Sequence, residues 1–365
     1  MRNNLISAIN IHTGGGLTYL YLLHSFLDNK SNVILFDERV KAKIPNFSKA
    51  KLIFFKKGPL RNIKIFCFRF KKYFKLNNKD LYEKNKYTLS EIYLNGIPPL
   101  FRFFQSKVRV YIFLQNKLIF DKSMIKRLSV NNILVMLNIF ISKFLLYSFK
   151  KNNDILIAQT NSMFKILTSE FKKNKIISQE KIWGNIEEIN LQLIKNLVNE
   201  KKSSILSKIN QLSLENFLFF YPARLYAHKN HKKLFEAIEL LENKSIKRFK
   251  LILTIKESDL QFFSIKNKSN ILCIGEIDYF ELLNIYKLVD YLLFPSLSES
   301  FGLPLLEAKL TKTKIIASDL DYVFEIRLDF CKRNPNLEIY KVFNIKGNRW
   351  IFIYDSEDEY DVARQ

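Results

Sequence analysis

Two carboxylates, Glu299 and Glu307, flank Gly302 in the segment Tyr291-Leu-Leu-Phe-Pro-Ser-Leu-Ser-Glu-Ser-Phe-Gly-Leu-Pro-Leu-Leu-Glu-Ala308. A carboxylate accepts two hydrogen bonds at once, so Glu307 has the chemistry to take a pair of neighbouring hydroxyls such as those of a ribose. Gly302 has no side chain to keep a phosphate away, and a helix that starts there offers free amide hydrogens and the positive end of its dipole. Together these groups suit a nucleotide-linked sugar. The plainer reading is an ordinary strand, loop and helix with a solvated Glu299 and a dipole-complementing Glu307, and the segment alone leaves both open.

Tyr291 to Phe294 is an apolar run short enough for a buried parallel strand, ended by Pro295 and the serines up to Ser300. Phe301 to Leu310 is expected to be a helix, with Ser298 or Ser300 as N-cap and Pro304 in the first turn, where amide hydrogens lack intrahelical acceptors. In the same half, Phe217 to Tyr221, Lys250 to Ile255, Asn270 to Ile274 and Lys314 to Ala317 read as further strands separated by helices. In the first half, extended stretches such as Val33 to Phe36, Val108 to Leu114 and Asp154 to Ala158 alternate with helical ones. Alternation of this kind predicts an α/β fold of doubly wound parallel sheets, with ligands off the carboxyl ends of the strands. Near the N-terminus, Gly14, Gly15 and Gly16 allow positive backbone dihedrals and close approach to phosphate, and Leu17 to Leu27 follows with helical spacing. A simple tight turn explains those glycines equally well.

The spacing from Glu299 to Glu307 resembles the signature of the retaining GT-B glycosyltransferases of family 4. Phe219-Phe-Tyr-Pro-Ala-Arg-Leu-Tyr-Ala-His-Lys-Asn230 resembles that family's strand and turn bearing an Arg and a Lys, here Arg224 and Lys229, with Ala223 where the family usually has Gly. Gly275 to Asp290 resembles the segment leading into the two-glutamate motif. Ile9 to Leu20 resembles the opening of the family, and Asn95 to Leu100, Tyr111 to Leu118 and Ile157 to Met163 resemble members that build bacterial surface polysaccharide. Many members carry a His near the position of Gln115. The resemblance spans residues 1 to 326 and implies a GT-B architecture of two Rossmann-like domains facing a cleft. Residues 1–190 would form the acceptor domain, 191–330 the donor domain, and 331–365 an atypical tail, with the interdomain region falling between Ser178 and Asn216.

What the resemblance implies for function is hexosyl transfer with retention, from a nucleoside diphosphate sugar to a glycan or lipid-linked glycan, in surface polysaccharide or lipopolysaccharide synthesis. The catalytic set would be Glu299, Arg224 and Lys229, and the donor-binding set Gly14, Gly15, Gly16, Ser300, Phe301, Gly302, Leu303 and Glu307. Arg224 and Lys229 would neutralise the leaving diphosphate, which makes a metal unnecessary. GDP-mannose is the donor weakly favoured. Two departures from the family pattern bear on activity. Lys312 and Lys314 stand where Gly and Pro usually follow the second glutamate, and residues after Glu325 lack the expected terminal helices. Two other classes therefore stay in view: a non-catalytic relative that binds membrane or glycan within an assembly, and a sugar-nucleotide epimerase.

A chain of 365 residues with 48% hydrophobic composition can bury two cores, which excludes a disordered protein. Its net charge of +24 raises nucleic-acid binding, but the lysines are spread among Asn, Ile and Phe without a motif of recognised spacing, so no nucleic-acid partner is expected. One cluster is distinct: Phe54 to Lys75 holds eight basic residues, no acidic ones and many aromatics, which suits peripheral contact with an anionic bilayer. Ile133 to Phe149 is interrupted by Asn138, Ser142 and Lys143 and reads as an amphipathic or core helix rather than a span. Solvated core elements explain both segments as well. No signal sequence opens the chain, so the expected place is the cytoplasm, at the inner face of the membrane. Cys67, Cys273 and Cys331 are too scattered for a disulfide framework, and His12, His24, His228 and His231 form no ligand motif, so no metal is expected.

Overall fold

The computed structural model describes residues 3–9, 11, 15–58, 60–77, 89–94, 96–99, 108–120, 133–184, 203–243, 248–320, 323, 337–345 and 348–355. Gly14, His12, Cys331, the middle of the expected interdomain region and the acidic stretch after Asp355 lie outside them. The chain divides into two compact units, one of Met1–Asp121 with Ile133–Ile186 and one of Lys122–Asn132 with Glu187–Gln365.

Unit 1 is built on a seven-stranded sheet of β1 (Asn3–Ala8), β2 (Asn32–Asp37), β3 (Lys51–Phe55), β4 (Leu89–Tyr93), β5 (Val108–Leu114), β6 (Ile155–Ala158) and β7 (Lys175–Ser178). Their order is β3-β2-β1-β4-β5-β6-β7 and every pairing is parallel. Parallel strands are buried on both faces, and that is why the sequence shows continuous apolar runs here instead of alternation. The helices are α1 (Gly15–Leu22), α2 (Arg61–Asn77), α3 (Ile133–Phe149) and α4 (Asn161–Glu170). Val110, Ile112 and Leu114 of β5 pack with Leu156 and Ala158 of β6 against Leu146 of α3 and Met163 and Leu167 of α4. Elsewhere on the sheet, Leu5 and Leu35 pack with Ile53 and Phe55 against Ile65 and Phe68 of α2. The expected helix over Leu17 to Leu27 breaks after Leu22, and a separate turn covers His24–Leu27.

Unit 2 repeats the pattern. Strands β8 (Phe217–Tyr221), β9 (Phe249–Leu253), β10 (Ile271–Cys273), β11 (Tyr291–Phe294) and β12 (Lys314–Ser318) alternate with α5 (Ser204–Ser213, ahead of β8), α6 (His231–Asn243), α7 (Tyr279–Leu288) and α8 (Leu303–Leu310). These five strands are parallel, in the order β10-β9-β8-β11-β12. The tail, which shows no helical pattern in the sequence, forms a hairpin of β13 (Leu337–Ile345) and β14 (Asn348–Asp355), and β14 adds antiparallel to β12. Among its parallel strands each sheet reverses the strand order once, between β1 and β4 in unit 1 and between β8 and β11 in unit 2. Loops leaving such a pair of strands diverge and open a crevice at their carboxyl ends.

Candidate active site

The reversal in unit 2 sets the loop after β8 beside the loop after β11, and these two loops carry Lys229 and Glu299. The Lys229 ammonium lies 2.5 Å from Glu299 Oε1. Both side chains are less than one-fifth exposed. Screening there is weaker than for a surface pair, so the contact orders both groups. The backbone around it is held from several sides. Tyr221 at the end of β8 donates its hydroxyl to the Lys229 carbonyl at 2.7 Å and shares a 2.9 Å bond with Ser296. Asn230 sits at φ +57 and donates to the Pro295 carbonyl, and the Leu297 amide donates to the His228 carbonyl at 2.7 Å. The β8 and β11 loops are thus stitched together by main-chain and side-chain bonds on both sides of the ion pair.

Arg224, five residues before Lys229, pairs with Glu276 on the loop after β10. Arg224 and Lys229 therefore lie on one loop at the carboxyl edge, each with its own glutamate. His228 stacks on Tyr226 and His231 lies against Tyr221, and burial pushes both imidazoles down to about 4, so both are neutral near pH 7. Among the described residues no group of three or more His, Cys, Asp or Glu can hold a metal ion.

Helix α8 starts two residues later than the sequence implies, and neither Ser298 nor Ser300 caps it. Gly302 occupies the N-cap position at φ +76, ψ +48, with no side-chain cap bond. The left-handed conformation turns the chain sharply from the β11 loop into the helix, and only glycine adopts it without steric strain. Pro304 falls in the first turn, where it displaces no helical bond. Ser300 and Phe301 precede this turn, Leu303 begins the helix, and Glu307 lies on its buried side.

Glu307 is 2% exposed, and burial raises its carboxyl to about 7 against an ordinary 4.5. Tyr286, itself fully buried and edge-on to Phe220, donates its hydroxyl to Glu307 Oε2 at 3.2 Å, which favours the charged form and partly offsets the desolvation. Tyr286 is placed by α7, whose start is fixed by a reciprocal cap in which Asp278 accepts from the Glu281 amide at 2.8 Å and Glu281 from the Asp278 amide. Thr313, just ahead of β12, donates to the Tyr286 carbonyl at 2.6 Å and ties that strand to the carboxyl end of α7. Sequence reading missed Tyr286. Its only signal is an aromatic on the inner face of α7, which core packing explains equally well.

In unit 1, Gly15 and Gly16 do not use the positive dihedrals that the glycine run allows, because they are the first residues of α1; among the described glycines, positive φ occurs at Gly96, Gly184, Gly275 and Gly302. What Gly16 requires is space, since a Cβ there would lie 3.1 Å from Ile11 Cγ2. Gln115 follows β5 and is half-buried.

Residues 203–327 match the family described as glycosyl transferases group 1. A search of curated protein sequences finds no match. Among solved structures, the chain is similar to WaaG, a glycosyltransferase involved in lipopolysaccharide biosynthesis, at 14% identity and a TM-score of 0.56, over 90% of this chain and 84% of that one. It is similar to a sucrose-phosphate synthase from Thermosynechococcus elongatus at 15% identity and a TM-score of 0.53, over 88% and 82%. A structure described as trehalose-6-phosphate from E. coli bound with UDP-2-fluoro glucose aligns at 12% identity and a TM-score of 0.52, over 88% and 85%. With a two-sheet architecture throughout and a group 1 domain over residues 203–327, the chain is a glycosyltransferase of the GT-B fold.

Proposed function

We propose that the protein transfers a hexose from a nucleoside diphosphate sugar to a glycan or lipid-linked glycan, with retention of anomeric configuration, as a family 4 enzyme of surface polysaccharide synthesis. The observation that carries this reading is the buried-side ion pair of Lys229 and Glu299 at the strand-order reversal of unit 2, with Glu307 on the adjoining helix. In this reading the Lys229 ammonium bridges Glu299 and the donor diphosphate, and Arg224 supplies a second cation on the same loop. Positive charge held in place before the reaction stabilises the leaving group most as its charge develops, so these residues favour the transition state over the bound donor. No metal is required for that role.

Glu307 is the proposed acceptor for the ribose hydroxyls, and Glu299 the contact for the transferred sugar, with Ser300 to Leu303 lining it through backbone groups. Unit 1 is the proposed acceptor side, and Gly15 and Gly16 open its helix α1. Among the described residues no helix is long and apolar enough to cross a membrane. Leu137, Phe140, Ile141 and Phe144 of α3 are nevertheless largely exposed, and with the exposed Lys56, Lys57 and Lys64 of the basic segment they support peripheral contact of unit 1 with an anionic bilayer, whereas Arg69 of that segment is buried against Glu91.

The test is calorimetric titration with UDP-glucose and GDP-mannose followed by product analysis, in the native protein and in Lys229→Ala. Donor binding with transfer, and a loss of about a hundredfold in turnover in the variant, is the expected result. Binding without transfer to any acceptor supports the non-catalytic relative instead. Unchanged turnover in Lys229→Ala overturns the assignment of the leaving-group cation.

A further inference from the structure

Outside the candidate active site, the carboxyl edge of the unit 1 sheet holds a second organised cluster of charge. Asp37, the last residue of β2, has no solvent exposure, and it binds two guanidinium groups. Arg39 forks onto it through Nε at 2.8 Å and Nη2 at 2.7 Å, and Asp37 Oδ1 also accepts the Arg39 amide at 3.0 Å. Arg61, the first residue of α2, donates from Nη1 to Asp37 Oδ2 at 3.0 Å. The guanidinium pair holds the Asp37 carboxyl down at about 2, so it stays charged at any working pH.

One carboxylate balances one of these two cations. The excess is enlarged by Lys56 and Lys57, which directly follow β3, the strand paired with β2 such that Phe55 faces Asp37. Lys41 follows the turn that carries Arg39. Across residues 37–43 and 56–64 there are seven basic side chains against Asp37 and Glu38. Simple neutralisation of Asp37 would need one arginine. Two, held side by side by a buried anion at the ligand-bearing edge of a doubly wound sheet, form a prearranged cationic surface whose mutual repulsion an arriving dianion relieves. Arg39 is 44% and Arg61 20% exposed, so both guanidinium groups retain a solvent-facing side.

We propose that Arg39 and Arg61, fixed on Asp37, form a subsite for a phosphomonoester group carried by the acceptor. A phosphomonoester bears close to two negative charges at neutral pH and matches the planar guanidinium fork, whereas a neutral sugar gains nothing from the excess charge. The inference rests on the reading of unit 1 as the acceptor side. The phosphate has two sources, a soluble sugar phosphate or a lipid-borne one.

The test uses the full chain in two arms, calorimetric titration with glucose 6-phosphate and flotation with vesicles containing phosphatidic acid, each with inorganic phosphate as competitor. Arg61→Gln is expected to weaken binding about tenfold or more in the arm that matches the true source, while UDP-glucose or GDP-mannose affinity stays within about twofold. Equal binding by the native protein and Arg61→Gln in both arms, or no phosphate binding by the native protein in either, overturns the proposal. Should Arg61→Gln not fold, Arg61→Lys keeps a cation for Asp37 but replaces the fork by a point donor, and undiminished binding against an expected loss of about fivefold overturns it instead. If nucleotide sugars fail to bind while phosphate binding still depends on Arg61, the donor reading falls and the subsite stands.

Discussion

Glu307 is buried as an acid whose charged form the surrounding fold disfavours, and the substitution Glu307→Gln isolates that effect. The side chain titrates at about 7 when folded and near 4.5 when unfolded. Between these values the folded chain holds the proton more tightly, so stability is fully present below the unfolded pKa and is lost as pH rises through the folded one. At about 1.36 kcal/mol per pH unit, the penalty approaches about 3 kcal/mol at pH 8 and is about 1 kcal/mol at pH 5. Glutamine keeps the shape, accepts from Tyr286 through its amide oxygen and never ionises. Glu307→Gln is therefore expected to raise the denaturation midpoint of unit 2 at pH 8, to change it much less at pH 5, and to weaken donor binding. Denaturant titration at the two pH values, followed by a probe within unit 2 because the chain has two units, measures the difference. A variant that is no more stable than the native protein at pH 8, or equally stabilised at both pH values, refutes the reasoning.

Tyr286→Phe removes the hydrogen bond that favours the charged Glu307, so the midpoint of donor affinity against pH is expected to move upward from about 7, and a pH series of nucleotide-sugar titrations reads it. Gly302→Ala forces a Cβ into the left-handed conformation at φ +76 and is expected to cost about 1–2 kcal/mol, seen as a lowered unfolding midpoint. Replacing Phe140 and Phe144 together by Ser leaves the sheet core untouched, and flotation with anionic vesicles is expected to fall several-fold; unchanged flotation removes α3 from the membrane contact.

The parallel strands of unit 2 were legible because each is a short apolar run between polar breaks, and buried parallel strands require that composition. The hairpin was not. Its pairing shifts register between Ile339 and Lys341, which interrupts the two-residue alternation, and β14 finds β12 more than thirty residues away in sequence. The start of α8 was misread because serines are the common caps, while the turn here depends on a glycine dihedral that composition does not reveal. Residue types at the candidate site were readable, and Lys229, Glu299 and Glu307 were all singled out. Their pairings were not readable: contacts such as Tyr286 with Glu307 and Arg61 with Asp37 join positions more than twenty residues apart through the packing of helices on a sheet.

Hairpin β13–β14 also sets the timetable by which the second sheet is finished during synthesis. Strand β12 has one neighbour, β11, until residues 348–355 leave the ribosome, and for that interval its outer row of amide and carbonyl groups stays open to any extended chain. A premature stop after Ser318 would make that interval permanent and turn a transient hazard of translation into a template for self-association.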